Sequence, residues 1–153
     1  MQKITPSLWF DHNAKEAIDF YLSVFPDSKI ISTEYYPQST EEGLADFQKE
    51  FAGKEVSIEF ELLGMRFIAI NAGPEFKPNE AVSFMVRCKD QAEIDYYWEK
   101  LTSDGGQQSV CGWCKDKYGY SWQVIPENWE ELSKKPGYFK VMMSQKKIIL
   151  AEY

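Results

Sequence analysis

The chain repeats itself. Ile18-Asp19-Phe20-Tyr21 returns 76 residues later as Ile94-Asp95-Tyr96-Tyr97, an offset close to half of the 153 residues. The same offset sets Ser7-Leu8 on Ser83-Phe84, Phe10 on Val86, Leu22 on Trp98 and Phe25 on Leu101. Four matching residues arise easily by chance. Apolar character kept along a strand and the helix after it does not, and a fixed internal period belongs to the fold as a whole. The sequence is therefore read as two copies of one module.

Each copy opens with a strand-like run, Ile4 to Phe10 and Ala81 to Cys88, rich in β-branched and aromatic residues. A helix follows. In the first copy Ile18, Tyr21, Leu22 and Phe25 form one apolar face, and Ile94, Tyr97, Trp98 and Leu101 repeat the spacing. Asn13 or Asp11 is placed to cap the first helix and Asp90 the second, with stops near Pro26 and Gly105. Three more strands complete each module: Ile30 to Tyr36, Glu55 to Leu63 and Arg66 to Asn71, then Gln108 to Cys111, Trp113 to Lys117 and Ser121 to Ile125. Tight turns are expected at Leu63-Gly64-Met65 and Tyr118-Gly119-Tyr120. Aligning Gly64 with Gly119 pairs Phe67 with Trp122 and Ile68 with Gln123. Pro37 to Lys54 is a polar insert read as a loop or short helix, and Ala72 to Glu80 links the copies.

The expected organisation is one domain over residues 1–153: a first βαβββ module over 3–72, a second over 80–126 and a helical tail over 127–153. Within the tail, Glu127 to Lys135 reads as one helix. From Gly137 onward Phe139, Val141, Met142 and Ile148-Ile149-Leu150 need cover, since apolar surface left in water costs roughly 25 cal/mol per Å². That cover is either the tail's own domain or a partner chain.

Charge narrows the function. With 24 acidic against 17 basic residues the net charge is −7, which argues against a nucleic-acid partner, because such binders displace counterions with a basic stripe. No run reaches the roughly 18 apolar residues of a membrane span. The first residues lack the apolar run of a secretory signal, and three cysteines do not suggest a disulfide framework. A reduced, cytoplasmic protein is the expectation.

The sequence resembles the vicinal oxygen chelate superfamily, which includes glyoxalase I and the extradiol dioxygenases. The nearer resemblance is to its PhnB-like branch, some of whose members carry the label 3-demethylubiquinone-9 3-methyltransferase. The residues that carry it are Ile4-Thr5-Pro6-Ser7-Leu8-Trp9-Phe10-Asp11, Ala17-Ile18-Asp19-Phe20-Tyr21 and Asn71-Ala72-Gly73-Pro74-Glu75-Phe76. Tyr96-Tyr97-Trp98, Cys111-Gly112-Trp113 and Lys115-Asp116-Lys117-Tyr118-Gly119-Tyr120-Ser121-Trp122-Gln123 complete it. The resemblance implies an α+β fold in which two tandem βαβββ modules make a cupped, mostly antiparallel eight-stranded sheet. It also implies outer helices and a ligand pocket on the concave side.

Metal-dependent members of that superfamily place His, Gln or Glu on the first and last strands of each module. Motif alignment puts those four positions at or next to Pro6 and Val82, and at Ile68 and Gln123. Only Gln123 offers a donor, whereas divalent metal chemistry needs two or three plus an open position. No metal and no cofactor are expected. The common S-adenosylmethionine fold needs a glycine-rich loop between strand and helix, and none is present, so the methyltransferase label finds no support in the residues.

Other motifs have modest readings. Cys111-Gly112-Trp113-Cys114 has redox spacing, but it is followed by a strand and turn rather than the helix that would stabilise a thiolate. His12 beside Asp11 at a helix entrance is more simply an exposed residue than part of a triad. Trp9, Phe84, Trp113 and Trp122 either pack the core or line a pocket. The expected ligand-binding set is Gln123, Trp113, Phe84, Leu8, Ile68 and Asn71, with catalytic residues unassigned. The expected function is a cytoplasmic homodimer that binds a small, partly apolar molecule in the cup, without metal, nucleic acid or membrane. Two alternatives stay open: a lyase, isomerase or dioxygenase with an atypical metal site, and a structural dimer whose pocket its own side chains fill.

Overall fold

The structure, a computed structural model, describes residues 2–153. The chain divides into two compact units, the first ending at Lys77 and the second beginning at Pro78. The first contains β1 (Ser7–Asp11), α1 (Ala14–Val24), β2 (Ser28–Tyr35), β3 (Glu55–Leu62) and β4 (Met65–Ala72). The second contains β5 (Ser83–Cys88), α2 (Gln91–Leu101), β6 (Gln107–Gln108), β7 (Trp113–Lys115) and β8 (Ser121–Pro126). The tail adds α3 (Trp129–Leu132) and α4 (Tyr138–Ser144). The architecture is α+β, two tandem βαβββ modules and a C-terminal helical tail.

The repeat is exact in topology. The sheets are ordered β1-β4-β3-β2 and β5-β8-β7-β6. In each, the first and last strands of the module run parallel and the other neighbours antiparallel.

Side-chain parity then gives each sheet a covered and an open face. In the first, Leu8 and Phe10 of β1, Ile58 and Phe60 of β3 and Phe67 and Ala69 of β4 are buried together with Ala14, Ala17, Ile18, Tyr21 and Val24 of α1. Leu22, expected on that stripe, is only partly buried at its edge. In the second, Val86, Cys88, Trp122 and Val124 meet Ile94, Tyr97, Trp98 and Leu101 of α2 as the spacing predicts. Burying one such side chain contributes about 1.5–3 kcal/mol, so these stripes fix the helices on their sheets.

Capping differs between the copies. Asp90 accepts the Glu93 N–H at 2.9 Å, the expected N-cap. Asn13 occupies the equivalent place without a side-chain bond. The Ala14 N–H instead donates to Asn71 Oδ1 at 3.2 Å, so the cap comes from β4, 57 residues along the chain.

Four sequence expectations need correction. β1 and β5 start at Ser7 and Ser83, leaving Ile4 and Val82 exposed ahead of the sheet. The expected strand Gln108–Cys111 ends at Gln108, because Cys111 and Gly112 take positive φ (57° and 79°) and turn their N–H groups to the Gln145 and Lys146 carbonyls. The helix expected over Glu127–Lys135 shrinks to one turn, Trp129–Leu132. The two turns are also unlike. Leu63-Gly64 is a two-residue hairpin loop with both φ positive (50° and 84°), the primed type. Between β7 and β8 five residues, Asp116 to Tyr120, close the loop instead. The Gly64–Gly119 alignment therefore slips by two. Ile68 lies level with Ser7, but the residue level with Ser83 is Ser121 rather than Gln123.

The tail packs on its own unit. Ile148 is fully buried, Gln91 bonds both the Ile148 carbonyl (2.9 Å) and the Leu150 N–H (2.8 Å), and Lys147 pairs with Asp95 at 2.8 Å. Of the two covers open to the tail, its own unit takes this part; Phe139 and Met143 on α4 stay exposed.

Candidate functional site

The open face of the second sheet carries two cross-strand rows. Register places Gln107, Lys115, Ser121 and Ser83 side by side across β6, β7, β8 and β5. The adjacent row is Trp113, Gln123 and Met85. Gln123 Nε2 donates to Ser83 Oγ at 2.8 Å, tying the rows together.

Over one end of these rows lies a cavity of about 430 Å³, walled by Gln107, Trp113, Lys115 and Ser121, by the Gln108–Cys111 segment and by Glu80. That volume is in the range of small-molecule sites. Among the described residues Lys115 is its one cation, and it pairs with Glu80, which holds the Glu80 carboxyl below the usual carboxylate range. Ser121 is 1% exposed, and its Oγ meets no hydrogen-bond partner among the described residues. Such an orphan costs roughly 1–3 kcal/mol. A polar row, one aromatic and one unmet donor at a single cavity give it the means to hold a small molecule by an oxygen at one end and an apolar body at the other.

The expected site residues divide by parity. Trp113 and Gln123 are register neighbours on the open face of the second sheet, and Ile68 is on the open face of the first. Leu8, Asn71 and Phe84 fall on the opposite faces. Leu8 is buried with the α1 core. Phe84 shares the face of Trp122, ring centroids 5.3 Å apart. Asn71 is committed to backbone, donating to the Glu55 carbonyl at 2.9 Å and accepting from Ala14. The cavity also brings in Lys115, Ser121, Gln107 and Glu80, which the sequence reading did not single out. Counting period two along Ser121–Ile125 would have put Ser121 beside Gln123, but only the register brings in β6 and the linker.

On the first sheet the open face is largely self-satisfied. Trp9 donates its indole N–H to the Gly73 carbonyl at 2.8 Å and packs edge-on against Phe76. Arg66 pairs with Glu59 at 3.3 Å.

The donor set does not fit a divalent metal. The motif positions hold Pro6, Ile68, Val82 and Gln123, and the register replaces Gln123 by Ser121, a poorer ligand. Among the described residues no group of three His, Cys, Asp or Glu side chains could hold an ion, where a catalytic site needs three protein donors. The cysteines are apart in character: burial pushes the Cys88 and Cys114 thiols up to about 12, while Cys111 is partly exposed with its Sγ 3.5 Å from Met143 Sδ.

The sequence model of a family described as 3-demethylubiquinone-9 3-methyltransferase matches residues 2–125. The chain belongs to this family, the PhnB-like branch of the vicinal oxygen chelate superfamily. A PhnB protein from Bacillus cereus, described under the same methyltransferase name, is 33% identical, with a TM-score of 0.67 over 81% of this chain and 99% of that one. Protein PA1353 from Pseudomonas aeruginosa is 18% identical, with a TM-score of 0.65 over 82% and 98%. The fosfomycin resistance protein FosX from Listeria monocytogenes is 14% identical, with a TM-score of 0.56 over 88% and 98%. The last two likenesses are of fold. No curated protein matches the chain. No helix among the described residues is long and apolar enough to cross a membrane.

Proposed function

We propose that this PhnB-like protein binds a small, partly apolar molecule at the cavity of its second module, without a divalent metal. The observation that carries the reading is the unpartnered Ser121 hydroxyl beside Lys115 and Trp113 at one cavity. Beside it on that sheet the Asp116 carboxylate takes three donors and Gln123 bonds Ser83. A buried donor left open within a cavity wall calls for a partner, and a polar group of a bound molecule supplies one. The protein acts as a cytoplasmic homodimer, in which the exposed Phe139 and Met143, one turn apart on α4, are covered by the second copy.

Native mass spectrometry of the protein purified without chelator, set against its denatured mass, tests the metal-free reading and the dimer. The expected spectrum is a metal-free dimer. Ligand-observed NMR with a library of small aromatic fragments should then find binders that Trp113→Ala loses. One divalent ion per chain would overturn the metal-free reading and restore a superfamily enzyme. Fragment binding untouched by Trp113→Ala would move the site elsewhere.

A further inference from the structure

Glu80 is the least fixed member of the cavity. It lies in the linker before β5, outside any regular element, and its side chain is 59% exposed. Its partner Lys115 belongs to β7 and is held between Gln107 and Ser121 in the cross-strand row. The cation of the cavity wall therefore meets a carboxylate carried by an exposed loop. In an ion pair this open to water, solvent screening and side-chain entropy offset most of the Coulomb attraction, so a competing carboxylate displaces it at little cost.

The pair is also incomplete. Glu80 satisfies Lys115 but not Ser121, whose Oγ, on the residue directly across from Lys115, bonds to nothing described. Two positions along β7 from Lys115, about 7 Å away at the rise of a strand, Trp113 faces the same side. Cation and hydroxyl at one end with an indole at the other define a ligand with an anionic head on a short apolar body. Lys115 alone would accept any anion. What narrows the class is that the protein's own occupant is a planar carboxylate.

Resting on the cavity reading above, we infer that the ligand is a small aryl or arylalkyl carboxylate. Its carboxylate takes the place of Glu80 on Lys115 and reaches Ser121, its ring lies against Trp113, and Glu80 is a built-in competitor that holds the empty site.

The test uses the full chain, phenylacetate as the acid and phenylacetamide as its neutral match, titrated by NMR on the indole cross-peak lost in Trp113→Phe. Phenylacetate should bind at least about tenfold tighter than the amide, the worth of one charge-assisted hydrogen bond. Glu80→Gln removes the competitor and should tighten phenylacetate about two- to fivefold while leaving the amide unchanged. Lys115→Met should abolish the difference between acid and amide. Equal binding of acid and amide to the wild type, or no response to Glu80→Gln, overturns the carboxylate assignment. If neutral fragments still bind at Trp113 in that case, the cavity reading stands and only the ligand class is wrong. If no compound shifts that cross-peak, both fail.

Discussion

The carboxylate of Asp116 accepts the indole N–H of Trp122 at 2.9 Å, six residues further along the chain. Its other oxygen accepts the backbone N–H groups of Tyr118 and Tyr120, at 2.9 and 3.1 Å. Asp116 is 2% exposed, so one buried carboxylate closes the five-residue β7–β8 loop and pins the aromatic behind it. This is the physical content of the Asp116-Lys117-Tyr118-Gly119-Tyr120-Ser121-Trp122 motif. The loop delivers Ser121 and Gln123 to the open face because Trp122 is tied to the covered one.

Asp116→Ala should therefore destabilise the protein by about 3 kcal/mol, since buried donors left unmet cost 1–3 kcal/mol each and some recover water. Asp116→Asn should cost less, because one oxygen still serves the two backbone amides. Chemical denaturation of the three proteins checks the order. Equal losses for Ala and Asn would mean that charge rather than geometry sets the loop.

Gly112 gives a second test with its own control. At φ +79° a Cβ there would stand 2.8 Å from the Val124 carbonyl oxygen and 3.2 Å from Ile148 Cγ1. Backbone cannot yield as a side-chain tip can. Gly112→Ala should cost roughly 2 kcal/mol or more, adding a clash to the left-handed strain of 1–2 kcal/mol. Gly43→Ala, at φ +108° with nothing within 4 Å, should show the strain alone. Similar midpoints for the two variants in urea would show that the backbone around Gly112 and Val124 relaxes and that no clash adds to the strain.

How much of this was legible in the sequence depends on the range of the interaction. The repeat, the helix faces of Ile94, Tyr97, Trp98 and Leu101 and the Asp90 cap are local patterns, and the structure has them as read. The ends of strands were not, because they are set by groups far along the chain. Gln145 and Lys146 carbonyls pull Cys111 and Gly112 out of β6. Asn71 caps α1 from β4, which commits its side chain to backbone. Of the expected ligand-binding set, Trp113 lines the cavity and Gln123 is its register neighbour on the same open face. Leu8 and Phe84 lie on the faces opposite the open ones, which the sequence did not show, because alternation along a strand says which residues share a face but not which face the helix covers. Lys115 and Ser121 needed the unequal turns, which no glycine alignment reveals.

The cysteines should differ sharply toward a thiol reagent. Cys88 and Cys114 are buried, and burial lifts both thiols to about 12, leaving almost no thiolate at neutral pH. Cys111 is the partly exposed one. Native protein at pH 8 should titrate about one fast thiol per chain, rising to all three on denaturation, and Cys111→Ser should remove the fast one. A second fast thiol at Cys114 would revive a redox role for the Cys111-Gly112-Trp113-Cys114 motif.

His12, the only histidine, reports on the polar insert by itself. Its Nδ1 bonds Asp11, its Nε2 lies 3.0 Å from Glu50, and its ring stacks on Phe51 at 4.6 Å. Phe51 in turn packs with Tyr36 and Leu44, the small core of the insert, and the Tyr36 hydroxyl donates to the Asn71 carbonyl at 2.6 Å. The imidazolium is thus a clamp between the end of β1 and the 3-10 turn Asp46–Phe51. The hydrogen bond to Asp11, then that to Glu50, raises its pKa above the model-peptide value of 6.5. A raised folded-state value means the clamp is fully present below 6.5 and is lost as pH rises through the folded pKa. The single imidazole resonance should therefore titrate above 6.5, and Glu50→Gln should bring it down. Protection of the insert's amides against hydrogen exchange, taken relative to the intrinsic base-catalysed rate, should fall across that same titration, and His12→Gln should flatten that dependence. An imidazole pKa at or below 6.5 in the wild type would remove the clamp.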